Sequence, residues 1–207
     1  HQDLKLLHPS VTIVTPSEWS RAGFLNAGVP PQRVIVLRHG VNARNVGVPS
    51  FAQRHASRTR YFPLPALHIN DPKTVLYVNV GSMTYNKGFD ILLHAFIRHY
   101  QFNPSGRHAR LLLKGLDGLY NSRDLFRRAV ESASTSAQLP KGIVLRLVKE
   151  GVIKYIGSRM TDVDLKELVC GGDVYLTPYR AEGFNMPSLE AAACGLTVIT
   201  TSRLAGA

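Results

Sequence analysis

Apolar residues recur in short β-branched or leucine-rich runs, separated by longer stretches with a helical period. The runs predict strands at Val11–Thr15, Arg33–Leu37, Thr74–Val80, Leu111–Leu113, Val152–Ile156, Val174–Thr177 and Leu196–Thr200. Between them, Ser17 is placed to cap a helix reaching about Ala27, which Gly28 ends. A second helix is expected from Lys87 to about Tyr100, with Ile91, Leu92, Ala95, Phe96 and Tyr100 inward. Others are expected from the cap Asn121 to about Ala137, over Asp162–Cys170, and from Pro187 to about Cys194. Pro187 suits the first position of a helix and Gly195 the residue beyond its end. Strands alternating with helices imply an α/β fold, a Rossmann-like parallel sheet with helices on both faces and ligands at the strands' carboxyl ends.

Val11–Leu37 makes one βαβ unit, too short to be a domain. From His39 to Pro72 neither period is sustained, and Gly40, Gly47, Pro49, Pro63 and Pro65 punctuate a basic stretch, as in a linker. The expected division is therefore 1–40, 41–72 as linker, and 73–207.

Composition adds a constraint on partners. With Lys+Arg 25 against Asp+Glu 14 in 207 residues, the formal charge is +11, which invites an anion: nucleic acid, an acidic membrane surface or a phosphorylated ligand. The basic residues are dispersed and aromatics are not interleaved with them, which favours solvated faces over a nucleic-acid surface. Cys170 and Cys194 each fall in an apolar helical pattern and read as buried reduced thiols, as in a cytoplasmic protein. No apolar run reaches the length of a membrane span. The first residue, His1, is not Met, so a fragment of a longer chain is expected.

Chemistry concentrates in the loops after the expected strands. Glu182 and Glu190 bracket a run that opens a helix directly behind a buried strand, and a helix start at a sheet's carboxyl edge favours an anion. Gly183 and Pro187 interrupt the run, so Glu182 belongs to the loop and Glu190 lies about one turn into the helix, both bordering one crevice. Such acids suit sugar or ribose hydroxyls; an exposed loop acid and a helix-supporting acid explain them as well. Lys87 opens a helix, where a cation is misplaced unless an anion compensates it, while Gly81 permits close backbone approach. By itself that signal favours an ordinary solvated lysine. Gly157 and the Lys114-Gly115 pair lie in loops at the same edge, where turn chemistry is the plain reading, although Gly157 would also let a planar base lie on the backbone. His39 reads as structural. No Ser-His-Asp order, HExxH run or paired CxxC supports a hydrolase or a zinc site.

The ordered set Thr15–Arg21, Ala27–Val36, His39–Asn42, Lys87–Asp90, Glu182–Ala191 and Cys194-Gly195 resembles the family 4 retaining glycosyltransferases of GT-B fold. The resemblance implies a donor domain for a nucleotide-diphosphate-sugar, with Glu190 holding the ribose hydroxyls and Glu182 the hexose. Amides around Gly183, Phe184 and Asn185 would face sugar and diphosphate, Lys87 would neutralise the diphosphate, Gly81 would admit it, and Gly157 would border the base. It implies transfer with retention and no bound metal or other cofactor, to an acceptor that is a glycan, a lipid or a small molecule. A cytoplasmic protein, or one peripheral to the cytosolic face of an acidic membrane, is expected. Ser82 stands where many relatives carry an arginine that assists the lysine, and Asn185 replaces a frequent glycine. The acceptor domain is represented only by its last βαβ piece, so the chain is expected to be inactive alone. Alternatives are an epimerase or phosphorylase on the same fold, or a basic module that holds acidic lipid or nucleic acid.

Overall fold

Five of the apolar runs pair side by side in the computed structural model, which describes residues 8, 10–42, 47–62, 71–136 and 138–201. β1 (Ile13–Thr15) and β2 (Val34–Val36) form a separate parallel pair joined through α1 (Glu18–Asn26), the expected βαβ unit. The main sheet comprises β3 (Val75–Val80), β4 (Ala109–Lys114), β5 (Ile153–Ile156), β6 (Val174–Thr177) and β7 (Thr197–Thr200). All are parallel, in the order β5-β4-β3-β6-β7. The remaining helices are α2 (Phe51–Tyr61), α3 (Phe89–Phe102), α4 (Asp117–Tyr120), α5 (Ser122–Thr135), α6 (Ile143–Lys149), α7 (Asp162–Cys170) and α8 (Met186–Ala193).

Burial on both faces explains the unbroken apolar runs. One core packs α3, α5 and α6 on the sheet through Phe89, Leu92, Phe96, Val130, Val144 and Leu147, against Leu111 and Leu113. The opposite core packs α2, α7 and α8 through Tyr61, Leu168, Ala191 and Cys194, against Val78 and Leu112. Leu112 and Leu113 thus enter opposite cores, as strand alternation requires.

Chain order runs outward from β3 through β4 to β5, then returns to β3's other side with β6. Helices leave β3 and β6 toward opposite faces, so the switch point of the sheet, where a ligand crevice is expected, falls between the carboxyl ends of these two neighbours.

Four expectations are corrected. Lys87 does not open a helix: it closes a 3-10 turn, Tyr85–Lys87, and Gly88 at φ +64° separates that turn from α3. The later start shifts the phase of α3, whose buried residues are Phe89, Leu92, Leu93, Phe96 and Ile97, while Ile91 is exposed. Within the expected linker, α2 forms and packs on α7; its inward face is Ser57, Arg58 and Tyr61, too polar to register as a stripe. Arg58 donates to Gly171 O at 2.9 Å and pairs with Asp173, whose other oxygen accepts from Leu76 N at 2.8 Å. The cysteines are not free thiols: Cys170 and Cys194 form a disulfide, Cα atoms 5.1 Å apart, because α7 and α8 bring their C-terminal ends together on one face. The expectation of a reducing cytoplasm loses the support it drew from them.

Candidate functional site

Gly88 brings the two loops of the crevice together. A Cβ there would lie 1.7 Å from Pro178 O, so only glycine allows the β3–α3 loop to cross this close to the end of β6. Lys87, just before it, forms an ion pair with Glu182, whose other oxygen accepts from Gly183 N at 3.1 Å. The lysine and the loop acid singled out in the sequence therefore meet at the switch point of the sheet, though they are separated by most of the domain in sequence.

The β3–α3 loop is built around its own polar groups. Ser82 Oγ lies 2.8 Å from Thr84 Oγ1, and Ser82 O accepts from Ser122 Oγ at 3.1 Å. Met83 takes a left-handed φ of +58°, unusual for such a side chain, and buries it in the α3-side core. Gly81 leaves its Cα face open: a Cβ would meet nothing nearer than Asn79 Oδ1 and Lys87 Cγ, both at 3.9 Å.

Across the crevice, Asn185 precedes α8 at φ +65°, ψ +55°, a region glycine enters freely and asparagine better than most other residues. Its side chain is buried, and neither Asn185 Nδ2 nor Ser188 Oγ finds a hydrogen-bond partner. Buried polar atoms without partners are costly, and these two sit at the positive end of a helix. Gly183 is exposed; its carbonyl accepts from Ser17 Oγ at 3.2 Å and Ser20 Oγ at 3.4 Å, so the start of α1 supports the loop. The Phe184 ring meets His39 edge-on, centroids 5.1 Å apart.

Glu190 lies beyond the first turn of α8 and lines a cavity of about 400 Å³ whose lining includes Gly40, Asn42, Asp162, Lys166 and Met186 but neither Lys87 nor Glu182. Desolvation raises its pKa, with Asp162 adding to the effect. Tyr175 is buried at the end of β6: its hydroxyl accepts from Val80 N at 3.3 Å and donates to Val80 O at 3.1 Å, and burial above all, then the charges of Glu190 and Glu182, raises its pKa. Gly157 is likewise close-packed. A Cβ there would lie 2.0 Å from an Asp117 oxygen, so the face on which a base was expected to rest is filled by that carboxylate. Asp117 is held below the ordinary carboxylate range, first by the Tyr155 hydroxyl and then by Arg123.

One site residue, Arg180, carried no sequence signal, and the burial of Lys114, placed at the sheet edge by its sequence position, was not foreseen. Arg180 locks the loops through Asp90, to which it donates twice at 2.7 Å, and lies 3.8 Å from the Tyr85 ring centroid. Lys114, at the end of β4, is buried.

The family profile described as "Glycosyl transferases group 1" matches residues 73–207. Comparison with curated proteins finds no match. Among solved structures, Anabaena HepE in complex with UDP-glucose superposes with a TM-score of 0.73 at 18% identity, covering 99% of this chain and 50% of that one. WaaG, a glycosyltransferase involved in lipopolysaccharide biosynthesis, gives 0.68 at 19% identity, covering 97% and 47%. An E. coli structure described as trehalose-6-phosphate bound with UDP-2-fluoro glucose gives 0.69 at 15%, covering 98% and 48%. The chain thus spans about half the length of these structures, and at such identities the likeness shows the fold, an α/β parallel sheet of the GT-B kind. On the profile match over more than half its length, the chain belongs to the family of glycosyl transferases group 1.

Proposed function

We propose that this chain carries the donor site of a retaining hexosyltransferase of family 4 and binds a nucleotide-diphosphate-sugar in the crevice between β3 and β6. The observation that carries the reading is the Lys87–Glu182 pair facing the start of α8, where Asn185 and Ser188 hold buried polar atoms without partners. An ammonium and a helix N-terminus converging on one crevice suit a diphosphate. The neighbouring carboxylate suits the hydroxyls of the attached hexose.

In this reading the diphosphate takes over Lys87, and Glu182 turns to the sugar. The C1–O bond to phosphate breaks as a bond from the acceptor oxygen forms on the same face, and the acceptor proton passes to the departing phosphate oxygen. Lys87 and the helix amides carry the leaving-group charge, so the reading needs no metal and no other cofactor. Glu190 in its cavity holds the ribose hydroxyls, and the backbone edge beside Gly157 borders the base. The acceptor is a glycan, a lipid or a small molecule, met by the βαβ unit and by parts of the protein outside this sequence. The relatives solved with UDP-glucose or UDP-2-fluoro glucose make a uridine donor the first to try. No helix among the described residues is long and apolar enough to cross a membrane. The surplus of cations fits peripheral contact with an acidic membrane surface.

A panel of UDP-, GDP- and ADP-sugars tests the proposal by calorimetry, with NMR of the product's anomeric configuration once an acceptor is found. Binding of one donor class and an α-to-α or β-to-β product are expected. Salt-sensitive binding of oligonucleotide or acidic vesicles, with no nucleotide sugar bound, would overturn it in favour of a basic anion-binding module.

A further inference from the structure

Lys114 ends β4 opposite Val80 in register, and its carbonyl accepts from Gly81 N at 3.0 Å. It is 5% exposed, yet no carboxylate among the described residues lies within ion-pair distance. Its ammonium donates to Gly115 O, the carbonyl of the next residue. A buried ammonium has three protons to place and a large desolvation cost, and one neighbouring carbonyl meets little of either. Burial accordingly lowers its pKa, an effect Asp117 only partly opposes. The contrast is Lys154, also desolvated, which donates to Tyr61 O and lies 5.6 Å from the Phe62 ring centroid, tying β5 to the end of α2. Lys114 joins no two elements in that way.

Strand alternation puts Lys114 on the side of Leu112, the face that carries α8 and against which Val80, Ile156 and Met160 pack. Gly81 lies between the two lysines, bonded to Lys114 through its N–H and open toward the Lys87 stem. The same loop bears Ser82, a neutral residue occupied with Thr84.

We propose that Lys114 is a second cation of the donor site, reaching the phosphates across Gly81 and supplying the charge that Ser82 does not. This rests on the donor reading above, and the test separates the two. UDP and GDP, with uridine and guanosine as phosphate-free controls, are titrated into the wild-type protein and into Lys114→Met, with thermal melts of both in the absence of nucleotide. The methionine should weaken nucleoside-diphosphate binding about ten-fold or more and leave nucleoside binding unchanged. Without nucleotide its melting temperature should stay the same or rise, because an uncompensated buried charge has been removed.

Equal affinity of both proteins for the diphosphate would overturn the role of Lys114 and leave the donor site standing. An equal loss of diphosphate and nucleoside, or a markedly lower melting temperature, would also overturn it, by showing a structural lysine. A wild-type protein that binds neither diphosphate would sink both readings. Should the methionine variant not fold, the ¹⁵N signal of Lys114 Nζ in the wild type, assigned with Lys114→Arg, decides. It should move on adding UDP or GDP and not on adding the nucleoside; an unmoved signal contradicts the proposal.

Discussion

At the scale of single residues, the site is a set of charges whose partners are provisional. Lys87 and Glu182 neutralise each other, and the crevice keeps two polar atoms at the start of α8 without partners. Glu190 shows the same tension between stability and use. Its folded pKa is raised above the ordinary 4.5, so the protein is most stable where this acid is neutral, and that stability is lost as the pH rises through the folded value. Glu190→Gln should therefore melt at the wild-type temperature below about pH 4.5 and above it at neutral pH, while losing affinity for the ribose-bearing donor. Melting curves across that range, paired with donor titration, check both. A glutamine variant less stable at pH 7 would contradict the assigned desolvation. Asn185 and Gly88 show what a sequence can convey only in part. A loop before Pro187 was legible, but the left-handed turn at Asn185 and the contact with Pro178 that fixes Gly88 depend on chain segments far away in sequence.

At the scale of elements, precision depends on how the β3–α3 loop is held to the β6–α8 loop. Arg180 does this with a two-bond contact to Asp90, a stacked Tyr85 ring and its own N–H on Asn86 O at 2.8 Å. Its hydrogen bonds hold Asp90 below the ordinary 3.8, the leading cause of that shift. The stabilisation is complete above about pH 3.8 and disappears as the pH falls through the folded value. Asp90→Asn should thus melt below the wild type at neutral pH, with the gap closing in acid. Arg180→Lys, which keeps the charge and loses the planar fork, should weaken donor binding several-fold, about 3- to 10-fold, as small misplacements of site groups do. Unchanged donor affinity in this variant would show that the clamp does not set the site. Strand runs and helical periods revealed every element of the sheet and most helices, because each buries an apolar face. Missed were α2, docked by arginines on Asp173, the single turn α4, and α6, a short run of Ile143–Lys149 with no cap signal. The capping box of Ser50 and Gln53 at the start of α2 was present in the sequence and was the one local sign of it.

At the scale of the whole molecule, topology concentrates the chemistry. The reversal of strand order beside β3 places Lys87 and Glu182 together, and the sequence reading located both without being able to show that they touch. Pairing across helix ends was equally out of reach, which is why the disulfide of Cys170 and Cys194 replaced the expected thiols. The central claim is that a diphosphate displaces the Glu182 carboxylate from Lys87. Titrating sugar-free UDP and GDP into the wild type, Glu182→Gln and Lys87→Met tests it most directly. Removing the competing carboxylate should tighten the diphosphate by several-fold, and removing the ammonium should weaken it about ten-fold or more. If the glutamine variant binds no more tightly than the wild type, or the methionine variant binds equally well, the diphosphate does not sit on Lys87 and the account fails.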